Sequence, residues 1–268
     1  MKGTIKCKNC LHTASHNFCM HCGQRNSTGR LGFETLFEDF FSVNFNRTDG
    51  LWFTFKQMLR HPGKSILDYI DGGRQKYQTP VSYFACSVIV YFLYVKYILM
   101  YLPEIKLLGL TKEDIANSTT MDLTRLFGLL FGMSVIGWVV CGLKWGVENK
   151  RSFNLVESII VFSFIYGTNF FIDPAVVSIE VPLLKHVIHL TGSKKNIDII
   201  TDIPLIILIG YMAFDFCKKA KISNLRYCIT LVMGFLYYAY ASIYIEQHFK
   251  GNDKVKPTPC DTVAFIKH

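Results

Sequence analysis

Four cysteines near the start of the chain have the spacing that most clearly predicts chemistry. They form two C-x-x-C pairs, which are Cys7 with Cys10 and Cys19 with Cys22. Each pair can fold as a tight turn that points two thiolates at one ion, and two such turns complete the tetrahedron of a structural Zn²⁺ site. A segment this short cannot bury a core, so metal binding would supply its folding free energy. We therefore predict a four-cysteine zinc ribbon over residues 1–26.

The identity of the ion and of its ligands leaves alternatives. Zinc is favoured because four thiolates with no open position suit an inert structural ion, and a rubredoxin-like iron centre is the main competitor. His12, His16 and His21 lie near the cysteines and either replace one thiolate or are ordinary loop histidines. The remaining cysteines are scattered singly, which is not typical of a disulfide framework. A closed site of this kind is not expected to catalyse a reaction.

Beyond residue 80 the composition is that of a membrane protein. Half of the 268 residues are apolar and only 18% are charged, whereas a soluble domain carries about 25% charged residues. The apolar residues fall into runs of about 20, the length that crosses a bilayer as a helix. The fold class expected is an all-α polytopic membrane protein with an N-terminal zinc ribbon. Its bundle, residues 80–247, would have five spans, at 81–102, 126–147, 153–172, 197–217 and 225–245.

Two segments near the C-terminal half do not fit a simple span. We expect the third span to end at Asp173-Pro174, because proline interrupts a helix. Residues 181–190 are apolar but too short to cross a bilayer, so they would be re-entrant or interfacial. Residues 248–268 are polar and are expected to form a C-terminal tail.

The distribution of basic residues predicts the orientation. The formal charge is +9, and the short turns at 144–151 and 218–226 are basic, as is the segment before the first span. The positive-inside rule therefore places the N-terminal ribbon in the cytoplasm and, with five spans, the C-terminal tail in the periplasm of a bacterial inner membrane. Since membrane topology accounts for the charge, we do not expect nucleic acid as a partner.

Residues 27–79 are expected to form an amphipathic helical collar at the cytoplasmic face of the membrane. A first helix is predicted from Phe33, a second from near Asp49 to just before Pro62, and a third from Pro62 to Ile70. The Gly72-Gly73 pair would end the third helix. These helices either lie at the membrane surface or pack against the bundle.

The first 80 residues contain motifs that resemble a bacterial family of proteins of unknown function, the one numbered 3667. The residues that carry the resemblance are Cys7-x-x-Cys10, Phe18-Cys19-x-x-Cys22-Gly23-Gln24, Asp49-Gly50-Leu51, Thr54, His61-Pro62-Gly63, Tyr69 to Tyr77 and Pro80. The resemblance implies zinc, a membrane location and a bacterial origin. It implies no activity.

Outside the ribbon, two groups of polar residues are candidate sites. Arg74, Lys76 and Tyr77 precede the first span and would bind an anion or a lipid head group, or merely anchor the membrane edge. A second group could form a polar site within the membrane, near its outer face; it comprises Asn169, Asp173, Asp198 and Asp202. Glu157 and Asp215 lie near the inner ends of their spans, and each could instead form a helix-to-helix hydrogen bond.

These features favour a scaffold or adaptor that binds a protein partner or belongs to a membrane complex. No phosphate-binding loop, zinc-protease motif or nucleophile elbow is present in the sequence, so enzymatic activity is uncertain and is not the first expectation. The first alternative is a small transporter or channel-like protein that uses the acidic residues near the outer face. The second alternative is an enzyme that acts on lipid head groups.

Overall fold

Helices dominate the structure, a computed structural model that describes residues 5–14, 17–26, 29–34, 48–98, 128, 130–140, 153–191, 197–223, 226, 228–230, 232–234, 236 and 237. Two short strands, β1 (Ile5–Lys6) and β2 (Thr13–Ala14), pair antiparallel near the N-terminus. The helices are α1 (Thr48–Arg60), α2 (Pro62–Ile70), α3 (Pro80–Tyr97), α4 (Leu130–Val140), α5 (Leu155–Thr191) and α6 (Ile197–Lys219).

The collar helices α1 and α2 confirm the bounds predicted for them. Pro62 opens α2, where its missing N–H costs nothing. At the other end, Gly72 has a φ of +114°, its N–H donates to the carbonyl of Tyr69, and the Gly73 N–H donates to that of Asp68. This is a Schellman motif. The helix predicted from Phe33 lies outside the described residues beyond residue 34.

The prediction that a span ends at Asp173-Pro174 is wrong, because α5 continues through both residues to Thr191. Residues 181–190 are therefore not a separate segment. Pro174 costs one backbone hydrogen bond, but helix α3 lies alongside: the Tyr94 and Ser178 hydroxyls are 2.9 Å apart. In an apolar environment, ending a helix exposes more backbone groups than a proline does. Packing against α3 therefore outweighs the tendency of Pro174 to end the helix.

The side-chain contacts show the relative directions of α3, α5 and α6. Helices α3 and α5 run parallel, since Tyr83 hydrogen-bonds Thr168 and, further along both helices, Tyr94 meets Ser178. Helix α6 runs antiparallel to α5, because Phe153, just before α5, packs on Phe216 near the end of α6.

Among the described residues, two helices are long and apolar enough to cross a membrane, α3 and the segment Leu155–Ile179 of α5. The apolar helix α4 is shorter within the described residues. The predicted span at 197–217 corresponds to α6, which has 23 residues and contains Pro204. Of the predicted span at 225–245, the described residues from 226 to 237 are helical.

The collar helices α1 and α2 pack directly against α5 and α6. The fully buried side chains at this junction are Met58, Ile66, Tyr69, Phe164 and Met212. Gly63 lies so close to α6 that an added Cβ would overlap the carbonyl of Asp215. Its N–H, which has no partner within α2 because it is in the first turn, donates to the Asp215 carboxylate at 2.8 Å. Asp215 therefore caps α2 from another helix.

Candidate metal centre

The two C-x-x-C pairs fold as the same turn, repeated. The carbonyl of Cys7 accepts the N–H of Leu11 at 2.9 Å, and that of Cys19 accepts the N–H of Gly23 at 2.8 Å. Leu11 has a φ of +62° and Gly23 a φ of +72°, the left-handed conformation that favours glycine. Each turn therefore closes four residues after its first cysteine.

The four thiols converge as a metal ion requires. The Sγ atoms of Cys7 and Cys22 are 3.6 Å apart, and those of Cys10 and Cys19 are 3.5 Å apart. All four Sγ atoms lie within 4.8 Å of one another. A tetrahedral ion with metal–sulfur distances of about 2.3 Å would need Sγ atoms about 3.8 Å apart. The set therefore fits one ion, and the sulfurs are too far apart for disulfide bonds.

The surroundings of the thiols favour the metal-binding form of at least one ligand. Backbone N–H groups of Cys22 and His21 donate to the Cys19 sulfur, and they lower the pKa of its thiol to about 6. The thiolate is the species that ligates metal. Cys7 and Cys19 are buried, while Cys10 and Cys22 are partly exposed.

Two of the nearby histidines form a pair on the surface of the knob, the name used here for residues 1–26. The rings of His12 and His21 stack with centroids 4.0 Å apart and planes 7° apart. Both are exposed, and a nitrogen of each lies within 4.8 Å of the Cys10 sulfur. Because the two rings are stacked in parallel, their nitrogen lone pairs do not converge on one point, as the four thiols do. The four cysteines are therefore the better ligand set. His16 lies outside the described residues.

Gln24 fastens the knob to the turn between α2 and α3. Its side chain is only 3% exposed. The amide nitrogen donates to the carbonyl of Gly72, and the amide oxygen accepts the N–H of Gln75 at 3.3 Å. Since Gln24 follows the last cysteine by two residues, the second metal-binding turn lies directly against the body, the name used here for α1–α6.

The segment after the knob makes further polar contacts with the body. The guanidinium of Arg30 binds both carboxylate oxygens of Glu157 at 3.2 Å, and the Glu157 side chain is 5% exposed. Asn154 and Glu157 cap the start of α5 reciprocally through their side chains and backbone N–H groups. The Asn154 amide also donates to the carbonyl of Leu31 at 2.9 Å. Glu157 is thus a structural carboxylate that holds the knob's exit segment.

The predicted head-group residues, Arg74, Lys76 and Tyr77, bond within the protein. Arg74 donates to the carbonyl of Gly29 at 3.2 Å. Lys76 forms an ion pair with Asp68, and the Tyr77 hydroxyl donates to the same carboxylate at 3.1 Å. Burial, together with the negative charge of Asp68, raises the pKa of Tyr77 to about 12. Head-group binding by these residues stays a prediction, while their described contacts stabilise the turn.

The predicted polar site within the membrane is only partly described. Asn169 and Asp173 lie one turn apart on α5. The Asn169 side-chain oxygen is buried and has no hydrogen-bond partner among the described residues. The side chains of Asp198 and Asp202, on α6, lie outside the described residues.

Sequence reasoning missed the roles of Gln24, Thr54 and Asp68. Thr54 is fully buried, donates to the carbonyl of Gly50 at 2.6 Å and accepts the N–H of Gln78 at 2.8 Å. A signal for Gln24 and Thr54 was present, since both belong to the motifs that carry the family resemblance. Nothing in those motifs indicated which of their residues contact one another in the fold.

Comparison with known proteins identifies a family and no activity. Residues 49–92 match the family described as a protein of unknown function (DUF3667), so the predicted resemblance is confirmed over that segment. The match covers α1, α2, the turn held by Gln24 and most of α3. The four cysteines of the candidate metal site lie outside it. No curated protein and no solved structure matches the chain.

Proposed function

We propose that this chain, whose residues 49–92 belong to a family of unknown function, is a membrane scaffold or adaptor. It would span a bacterial inner membrane five times and present a zinc-stabilised knob to a protein partner in the cytoplasm. Zinc would be structural, held by Cys7, Cys10, Cys19 and Cys22 as four thiolates. The observation that carries the proposal is the exposure of large apolar side chains on a knob that Gln24 bonds to the body.

The membrane part of the proposal is supported by the outward faces of the helices. Helix α3 exposes Ile89 and Phe92, and α6 exposes Ile206, Ile207 and Phe214. Apolar faces this extensive on neighbouring helices are stable in lipid and costly in water. The parallel packing of α3 and α5 supports an intervening return span, as a five-span topology requires.

The orientation is supported by what lies at the knob's end of the body. The start of α3 is near Gln24, the start of α5 is near Arg30, and α6 ends at this level with Lys218 and Lys219 in its last turn. The positive-inside rule assigns such an end to the cytoplasm. Accessibility labelling at Cys260 tests this: labelling from outside intact cells is expected, and labelling only after permeabilisation would contradict five spans.

The scaffold reading is supported by the knob's surface. A four-thiolate site has no open position for a substrate. Met20 is 89% exposed, Leu11 74% and Phe18 58%. The polar residues that suggested lipid chemistry, Arg74 and Lys76, have intramolecular partners. A protein partner would cover the knob's apolar side chains.

A photo-crosslinking amino acid at Met20 tests the scaffold proposal in native membranes. We expect a reproducible crosslink to one protein, lost when Cys19→Ser is added and retained with Asp202→Asn. The same crosslinker at Phe92 is the matched control, which should react with lipid. Crosslinks at Met20 that are absent, or that survive Cys19→Ser unchanged, would contradict the proposal.

A small transporter remains the second candidate because of Asn169. Its unpartnered buried oxygen, one turn from Asp173, is the kind of polar group that marks a pathway in membrane proteins. Asn169→Leu should abolish a transport phenotype if this candidate is correct. The same substitution should leave the Met20 crosslink intact if the scaffold proposal is correct.

A further inference from the structure

Helix α1 has one face that the body does not cover. Thr54 and Met58 on its inner side are fully buried. On the opposite side, within an arc of about 100° at helical spacing, lie Trp52, Lys56, Leu59 and Arg60. Trp52 is 67% exposed and Leu59 38%. Lys56 and Arg60 are exposed and form no ion pair among the described residues.

The position of α1 places this face where the bundle would enter the bilayer. The Thr54 hydroxyl accepts the N–H of Gln78, two residues before α3 begins, so the middle of α1 is level with the start of a candidate span. Toward the bundle, Phe55 packs edge-on against Phe171 of α5, with centroids 5.6 Å apart. Phe171 lies 16 residues after the start of α5, so α1 is level with the start of α3 and with the middle of α5.

The same face is continuous with an apolar surface of α6. The hydroxyl of Tyr211 reaches the carbonyl of Arg60 at 3.5 Å, and Tyr211 is itself 45% exposed. One turn earlier on α6, Ile207 is 66% exposed. Whatever covers the outward side of α6 at this level also meets the end of α1.

We propose that Trp52, Lys56, Leu59 and Arg60 form a docking surface for the anionic lipids of the cytoplasmic leaflet. Lys56 and Arg60 bind the lipid phosphates, and Trp52 and Leu59 enter the zone between head groups and acyl chains. Tryptophan beside basic residues is the composition that favours this zone, and anionic lipid supplies the complementary charge. The inference rests on the membrane architecture proposed above.

Quenching of Trp52 fluorescence tests the proposal in the full-length chain. Trp138→Phe and Trp145→Phe leave Trp52 as the single tryptophan, and the protein is reconstituted in nanodiscs of phosphatidylcholine and phosphatidylglycerol. Lipids brominated near the head-group end of the acyl chain should quench its emission about twofold or more, and aqueous acrylamide should quench it weakly. Strong quenching by acrylamide with none by lipid would overturn the proposal. So would protection from both quenchers, the result expected if a protein covers the face.

A matched variant separates failure of this inference from failure of the membrane architecture. Trp52→Phe with Phe92→Trp, in the same background, moves the single tryptophan to the outward face of α3. Lipid quenching of this variant, without lipid quenching of Trp52, overturns only the docking surface. Loss of lipid quenching in both proteins overturns the architecture and the docking surface together.

Charge reversal provides a readout that does not depend on the tryptophan variants. Lys56→Glu with Arg60→Glu should reduce the phosphatidylglycerol that co-purifies with the protein by roughly fivefold for each lost cation. Lys8→Glu, an exposed charge on the knob, is the control and should leave lipid content unchanged. Equal phosphatidylglycerol content in the double variant and the control would overturn the proposal.

Discussion

The described part of the knob exposes its large apolar side chains, whereas the body buries a core of them. Leu11 and Met20 are 74% and 89% exposed, and the buried side chains of the knob include two of its four cysteines. By contrast, Met58, Ile66 and Phe164 of the body are fully buried at the junction of four helices. The knob would therefore depend on one ion held by its four cysteines, whereas the body depends on many distributed contacts.

The knob and the segment that follows it meet the body through polar contacts. Gln24 bonds the turn after α2, and Arg30 bonds Glu157 at the start of α5. Such contacts contribute only about 1–2 kcal/mol each. The comparison therefore predicts that the knob can be unfolded while the body keeps its structure, and that damage to the body leaves the metal in place.

Cys19→Ser should have the largest effect, because metal binding at the four cysteines would supply the knob's folding free energy, on the order of 10 kcal/mol. We expect loss of the bound metal by elemental analysis and rapid proteolysis within residues 1–26, with no change in the helical circular dichroism of the body. Cys228→Ser, at an exposed cysteine outside the knob, is the control. Full metal content in Cys19→Ser would contradict the four-cysteine site.

Gly63→Ala should damage the body alone. The added Cβ would overlap the Asp215 carbonyl and lie 2.7 Å from the Phe216 Cα, so α2 and α6 must separate at a cost of about 2–3 kcal/mol. Thermal unfolding in detergent measures this loss, and metal content should not change. Gly210→Ala is the matched control, since its Cβ meets nothing within 4 Å. An equal loss of stability in both variants would refute the close approach at Gly63.

Gln24→Ala should uncouple the two regions without unfolding either. Removing the side chain takes one hydrogen-bond partner from the buried Gly72 carbonyl and one from the Gln75 N–H, which costs about 1–2 kcal/mol. Hydrogen exchange at residues 72–75 should accelerate, with the metal retained. Arg25→Ala, at an exposed neighbour, should have neither effect. Metal loss in Gln24→Ala would show that the contact is part of the knob's own fold.

The smallest expected effect is a change in metal affinity when the left-handed residue of either knob turn is replaced. Leu11→Gly relieves a left-handed backbone conformation and should stabilise the metal-bound knob by about 1 kcal/mol, and Gly23→Ala should destabilise it by a similar amount. Competition with a chromogenic chelator measures both as opposite shifts in metal affinity. Shifts of the same sign would contradict the repeated geometry of the turns.

Local signals predicted the local structure well. Pro62, the Gly72-Gly73 pair and the spacing of the cysteines each determine the conformation of their own few residues, so α2, its Schellman end and both metal-binding turns follow from the sequence. The helix end predicted at Asp173-Pro174 was wrong because the conformation there depends on packing against α3, which is distant in the sequence. Periodicity and turn residues carry no information about such neighbours.

The polar residues were harder to interpret from the sequence. Glu157, Asp215 and Lys76 are charged residues near a predicted membrane edge, and each looked like a candidate for function. Their partners are Arg30, the Gly63 N–H and Asp68. Two of those partners are separated from them by more than 100 positions in sequence. Only the folded structure reveals these partners.

Hydrogen exchange on the full-length chain, before and after metal removal by a chelator, tests most directly whether the knob is a metal-held unit docked on an independent body. The account predicts a large rise in exchange over residues 5–26, a smaller rise over residues 72–75, and no change in α2 or the start of α5. A uniform rise across the body, or no change in residues 5–26, would contradict it.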